Sequence, residues 1–244
     1  MDPSEFQLRQ VLETIERAHA PVVATALAAC EPRIIPALRV PEAVTRAALA
    51  AAGLPASDAI LAFEALYGGL VCDLTADGRG RIEEPVLRFG AYACVTSQRA
   101  PDAYFASTEY APVVFTWGDI AYVMDAAGRA YAANLDTAAW PFAPDGRALV
   151  ARIALYDAIV RLRTLGAPAD GGAHYLELEG LRADELARTL GVPSIPEATD
   201  ETARFFGDGV VFIVDETADG PSAAEQPVTL IASSDPSRLA RISR

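Results

Sequence analysis

In 6–15 and again in 60–67 the apolar positions fall at helical spacing, whereas between 70 and 135 they collect in short runs separated by turns. That change of period predicts a group of helices followed by a sheet. Asp2, Pro3 and Glu5 are the residue types that open a helix: a cap, a proline at the first position and the acid of a capping box. Phe6, Leu8, Val11, Leu12 and Ile15 continue its apolar face towards His19, and Pro21 stops it. Pro21 to Cys30 is apolar throughout and fits strand or helix equally. Pro32, Pro36 and Pro41 enforce an extended crossing. An Ala-rich helix is then predicted from Pro41 to Gly53. Another runs from Ser57 to Tyr67, with Ile60, Phe63 and Tyr67 on one face and Gly68-Gly69 ending it.

The runs Leu70–Leu74, Val86–Val95, Val113–Trp117, Ile120–Met124 and Ala130–Leu135 read as strands. Asp77-Gly78, Gly118-Asp119 and the segment Asp125–Gly128 supply turns between them. Strands joined this closely form a mainly antiparallel sheet. Asp145 caps a long helix to Leu165, with Leu149, Ile153, Tyr156 and Val160 facing in and Arg152, Arg161 and Arg163 facing out. The Ala/Pro/Asp/Gly composition of 166–173 reads as a linker. Beyond it, strands are predicted at His174–Leu178, Val210–Val214 and Pro227–Ala232. Helices are predicted at Arg182–Leu190, closed by Gly191, from Asp200 to Phe206, and after Asp235-Pro236. The expected fold is α+β: a twisted, mainly antiparallel sheet flanked by helices over 1–165, plus a smaller C-terminal α/β appendage over 174–244. On linker composition, 1–165 is expected to fold without the appendage, which packs against it because about seventy residues make a marginal core alone.

Composition narrows the function. Hydrophobic residues make up 52% of the 244, which is enough for a substantial core. No apolar stretch approaches the roughly 20 residues of a membrane helix, and the acidic start lacks the pattern of a signal peptide, so a cytoplasmic protein without membrane contact is expected. All 20 basic residues are arginine, which with the abundant alanine points to a GC-rich bacterial genome. The absence of lysine removes Schiff-base, P-loop and Ser-x-x-Lys chemistry. The net charge of −13 argues against nucleic acid as a partner and permits a basic protein, an ordinary acidic soluble protein being the alternative.

Little else in the sequence carries chemistry. Cys30, Cys72 and Cys94 are too widely spaced for a disulfide framework or a metal site and read as buried thiols. His19 and His174 have no ligand-spaced neighbour, so no metal and no cofactor is expected. No Gly-x-Ser-x-Gly elbow is present, and Gly78-Arg-Gly80 lacks the third glycine of a dinucleotide loop. Glu177 and Glu179 share one strand face and Glu83-Glu84 precede Pro85. Solvated acids are the favoured reading of both, with a carboxylate-based hydrolase as the enzyme alternative. Trp117, followed by Gly118-Asp119, fits either a core position or a partner anchor.

The order of elements resembles the SMI1/KNR4 family, also called the SUKH superfamily, over about 1–165. The resemblance lies in the Pro-rich crossing into helices, the helix ending Phe63-Glu-Ala-Leu-Tyr-Gly-Gly-Leu70, and the hairpin Val113–Trp117, Tyr122–Asp125 and Gly128–Tyr131. The helix from Arg147 then closes the domain. Ala130 stands where the family usually has a β-branched residue. The resemblance implies an α+β binding module without a catalytic set, most often a bacterial immunity protein that neutralises a toxin, in fungi a scaffold. A scaffold or regulatory role is therefore the second binding expectation. An acidic immunity protein suits a basic, nucleic-acid-attacking toxin. The candidate partner face is Asp73, Asp77, Glu83 and Glu84 around a glycine-rich turn, with Asp119 and the aromatic Trp117 on the neighbouring hairpin. The alternative is that these acids serve solubility alone.

Overall fold

The computed structural model describes residues 3–73, 86–96, 109–115, 120–134, 137–165, 174–216, 228–240 and 242. Helices α1 (Pro3–Arg17) and α2 (Pro21–Ala29) lead through β1 (Arg33–Ile34) and a 3-10 turn at Pro36–Leu38 to α3 (Glu42–Ala51) and α4 (Asp58–Tyr67). Pro21 occupies the first turn of α2, which settles the segment 21–30 as helix. Next come β2 (Leu70–Asp73), β3 (Val86–Phe89), α5 (Ala91–Thr96), β4 (Tyr110–Phe115), β5 (Ile120–Asp125), β6 (Ala130–Asn134) and β7 (Thr137–Ala143). These seven strands form one sheet in sequence order, every neighbouring pair antiparallel. Helix α6 (Gly146–Thr164) follows, with the Asp145 carboxylate accepting from Ala148 N at 2.8 Å as the expected cap. The remainder is β8 (Tyr175–Glu179), α7 (Ala183–Leu190), β9 (Ala203–Gly207), β10 (Val211–Glu216), β11 (Val228–Ser233) and α8 (Pro236–Leu239). Its four strands form a second antiparallel sheet in the order β8-β11-β10-β9. The fold is α+β, and among the described residues no helix is long and apolar enough to cross a membrane.

Three elements differ from the sequence expectation. The run Val86–Val95 splits, because Gly90 at φ 117° turns the chain out of β3 and into α5. Strand β7 was not anticipated: its alanines carry little strand propensity and Pro141 lies within it, a residue confined to edge strands such as this one. Asp200 does not cap a helix. Its Oδ1 accepts from Thr202 N at 2.7 Å and Ala203 N at 3.1 Å and turns the chain into β9. There Ala203, Phe205 and Gly207 are buried at strand spacing.

Helix α6 explains how the two regions join. It packs against α2, α4 and β7 of the first and against the Pro196–Ala198 turn, β8 and β11 of the second. Residues on nearly every side of it are buried, including Leu149, Val150, Arg152, Ile153 and Leu155. Arg152 therefore does not face out; its side chain is 1% exposed. Its Nε donates to Ala198 O at 2.9 Å and Nη1 to Thr202 Oγ1 at 3.0 Å and to Phe142 O. Nη2 lies 2.7 Å from Asp200 Oδ1, an ion pair without hydrogen-bond alignment, and the guanidinium stands 5.7 Å from the Phe205 ring centre. Strand β10 has two apolar faces. Phe212 and Val214 join the main core, while Val211 and Ile213 close a smaller core with Leu186 and Leu190 of α7.

Candidate functional site

The Tyr-Gly-Gly turn at the end of α4 is organised by two charges of opposite sign. Arg39 donates to the exposed carbonyls at the end of α4: Ala65 O at 2.8 Å, Gly68 O at 2.9 Å and Leu66 O at 3.4 Å. Glu64, buried within α4, turns the other way, and its Oε2 accepts from Tyr92 N in the first turn of α5 at 3.3 Å. The turn runs so close to this carboxylate that a Cβ on Gly68 would lie 2.4 Å from Glu64 O and 2.7 Å from its Oε1. Burial raises the Glu64 carboxyl above the ordinary carboxylate range, against the lowering effect of the Tyr92 and Ala91 amides and of Arg39. A raised value in the folded state means that the protonated form is favoured by folding. This contribution to stability is greatest below the ordinary carboxylate value and is lost as pH rises through the folded one. Glu64→Gln is therefore expected to flatten the upper, acid-to-neutral part of the stability–pH curve, measured by urea unfolding at several pH values. An unaltered curve would contradict the assignment.

From this turn β2 runs to Asp73, the first residue of the candidate face. Asp73 Oδ2 pairs with Arg33 Nη1 at 2.8 Å, its carbonyl accepts from Arg161 Nη2 at 3.0 Å, and its amide donates to Cys30 O at 2.9 Å. Asp73 is half-exposed and its carboxylate is already paired within the chain. The other candidates, Asp77, Glu83, Glu84, Trp117 and Asp119, lie outside the described residues. Strand register nevertheless fixes where their segments are attached. Asp73 pairs with Val86, Arg88 with Phe115, and β5 begins at Ile120. Antiparallel pairing therefore sets the end of β2, the start of β3, the end of β4 and the start of β5 side by side at one end of the sheet. The segments 74–85 and 116–119 leave and return at that end.

Several other ionisable groups hold the fold together. His19 Nε2 is 3.0 Å from Tyr67 Oη, and its Nδ1 is 3.4 Å from Glu197 Oε2. Glu197 also accepts from Ala20 N at 2.7 Å and pairs with Arg147 Nη2 at 2.8 Å. Opposing the effect of burial, these contacts keep the Glu197 carboxyl below its ordinary range. The Asp200 carboxyl is likewise lowered: burial raises it, but the adjacent Arg152 guanidinium and the hydrogen bonds from Thr202 outweigh that. Asp157 accepts from Arg161 Nε at 2.5 Å and from Cys30 Sγ at 3.3 Å. Burial first, with Asp157 adding to it, pushes the Cys72 thiol up to about 12; Cys30 and Cys94 are raised as well, so none is a ready nucleophile. His174 Nδ1 is held 2.8 Å from Ser233 O, and Glu177 is exposed. Among the described residues no group of three or more His, Cys, Asp or Glu stands at metal-binding spacing. Sequence reasoning missed Glu64 and Arg152. The signal for Glu64 was present, an acid in the apolar body of a helix that two glycines follow. The helical pattern around Arg152 gave no such sign.

Comparison with protein-family models, with curated proteins and with solved structures gives no match.

Proposed function

We propose that the chain is a protein-binding module, and specifically an immunity protein that neutralises a basic toxin by direct binding. The observation that carries this reading is the shared end of the sheet. Neighbouring strand ends border both segments that hold Asp77, Glu83, Glu84, Trp117 and Asp119, with Asp73 at their rim. Acids in these segments would speed encounter with a cationic partner, and an aromatic among them would hold it by burial of its ring. The carboxylates of Glu64, Asp157, Glu197 and Asp200 each engage groups of the chain itself, which weighs against these four as the acid of a hydrolase.

Affinity capture from the native host tests the reading. The wild-type chain and a Glu83→Arg, Glu84→Arg, Asp119→Arg variant are compared, and the protein retained only by the wild type is cloned. It is expected to be basic, toxic when expressed alone and harmless when co-expressed with this chain. An acidic partner, or toxicity unchanged by co-expression, would contradict the proposal.

A further inference from the structure

A groove of about 360 Å³ lies between α1 and the end of α4, well separated in sequence from the acidic segments. Its lining combines Gln7, Gln10 and Thr14 of α1 with Val11, Leu66 and Arg39. Arg39 is the charged member. Arg33, Arg46, Arg129, Arg147 and Arg238 each have a carboxylate within 4 Å. Arg39 has none at that range among the described residues and is held by three neutral carbonyls. Those bonds use three of the five guanidinium N–H groups, and the buried Glu64 carboxylate acts on its charge only from beyond contact range. Along the wall, Gln7, Gln10 and Thr14 rise in one row over about 10 Å of helix, the span of three extended residues. Exposed side-chain amides in such a row can donate to and accept from a peptide backbone, while Val11 and Leu66 offer an apolar floor. Phe6, 51% exposed, stands beside Gln7 at one end of the row.

We propose that this groove is a second docking site, which takes an extended segment of a protein partner bearing a Glu or Asp side chain. The carboxylate sits on the free N–H groups of Arg39 and the segment's backbone runs along Gln7, Gln10 and Thr14. The free N–H groups select the occupant: with Glu64 acting on Arg39 only from beyond contact range, an anion completes the guanidinium, and the planar fork favours a carboxylate. The net charge of −13 repels a generally acidic segment, so the site suits a single acid among neutral neighbours. The choice of a protein segment as ligand rests on the protein-binding reading, whereas the groove itself is independent of the acidic face.

The test is a titration of the full, isotope-labelled chain with acetyl-Ala-Glu-Leu-amide, followed by NMR. Saturable shifts are expected at the Gln7 and Gln10 side-chain amides and at Arg39 Nε–H. The peptide with Gln in place of Glu should bind about tenfold more weakly, the loss of one charge-assisted hydrogen bond. Arg39→Gln should abolish the difference between the two peptides. Because Arg39 also holds the end of α4, a second variant, Gln10→Ala with Thr14→Val, leaves that hold intact and should weaken both peptides alike. Equal binding of the two peptides by the wild type, shifts that fall outside the groove, or no saturable shift would overturn the proposal. Any of these would leave the acidic face to be judged by its own charge-reversed variant.

Discussion

Arg152→Ala is expected to cost about 3–5 kcal/mol of stability, the penalty for removing one partner of a buried ion pair. The substitution strands the Asp200 carboxylate and leaves the carbonyls of Ala198 and Phe142 without their donor, in an interior that water does not reach easily. It also opens a cavity against Phe205. Asp200→Asn should cost less, because an amide oxygen can still accept from Thr202 N and Ala203 N. Arg152→Lys should recover only part of the loss, since one ammonium cannot reach acceptors spread over β7, the 196–198 turn and Thr202. Chemical denaturation of the three variants measures this, and a cost below about 1 kcal/mol for Arg152→Ala would show that the guanidinium is dispensable.

Removal of the appendage should have the largest effect on stability. Linker composition led to the expectation that 1–165 folds alone, but the packing leads to a different one. Ile195, Phe205, Phe212 and Val214 belong to the same apolar cluster as Leu149 and Leu155 of α6. Each such side chain contributes about 1.5–3 kcal/mol by its burial, and the loss of several is comparable with the whole stability of an ordinary domain. Tyr156 would lose its edge-to-face partner Phe205 at 5.3 Å, and the Ala20 amide would lose its Glu197 acceptor. A chain ending at Leu165 is therefore expected to lack a cooperative thermal transition or to melt far below the full chain. A cooperative transition within a few degrees of the intact protein would show that the appendage is an independent addition.

What the sequence conveyed, and where it fell short, follows from which faces of each element are covered. Local chemistry was legible: the Asp145 cap, the glycine stops after α3 and α4, and the left-handed Gly191 that ends α7 all stand as expected. Helix α6 was harder to read, because a helix covered on two sides loses its polar face. Periodicity then assigns a buried arginine to solvent. Asp200 illustrates a second difficulty, since an Asp followed by Thr-Ala fits a helix cap and an Asp-stabilised turn equally. Strand β7 was hidden by Pro141 and its alanines. At the candidate face, the pairing of Asp73 with Arg33 depends on the β1–β2 register, which brings two distant segments together. Local patterns do not carry such information.

The central claim is that acids borne on one end of the sheet steer a basic partner. The most direct test is the association rate of the captured partner with the wild-type chain and with the Glu83→Arg, Glu84→Arg, Asp119→Arg variant, across a range of ionic strength. Steering by these charges predicts an association rate about tenfold or more slower for the variant at low salt, with the gap closing as the Debye length shrinks to about 8 Å near physiological salt. Trp117→Ala should leave association nearly unchanged and speed dissociation, as expected of an anchor. Equal association rates of wild type and charge-reversed variant at low salt would contradict the account and place the partner on another face.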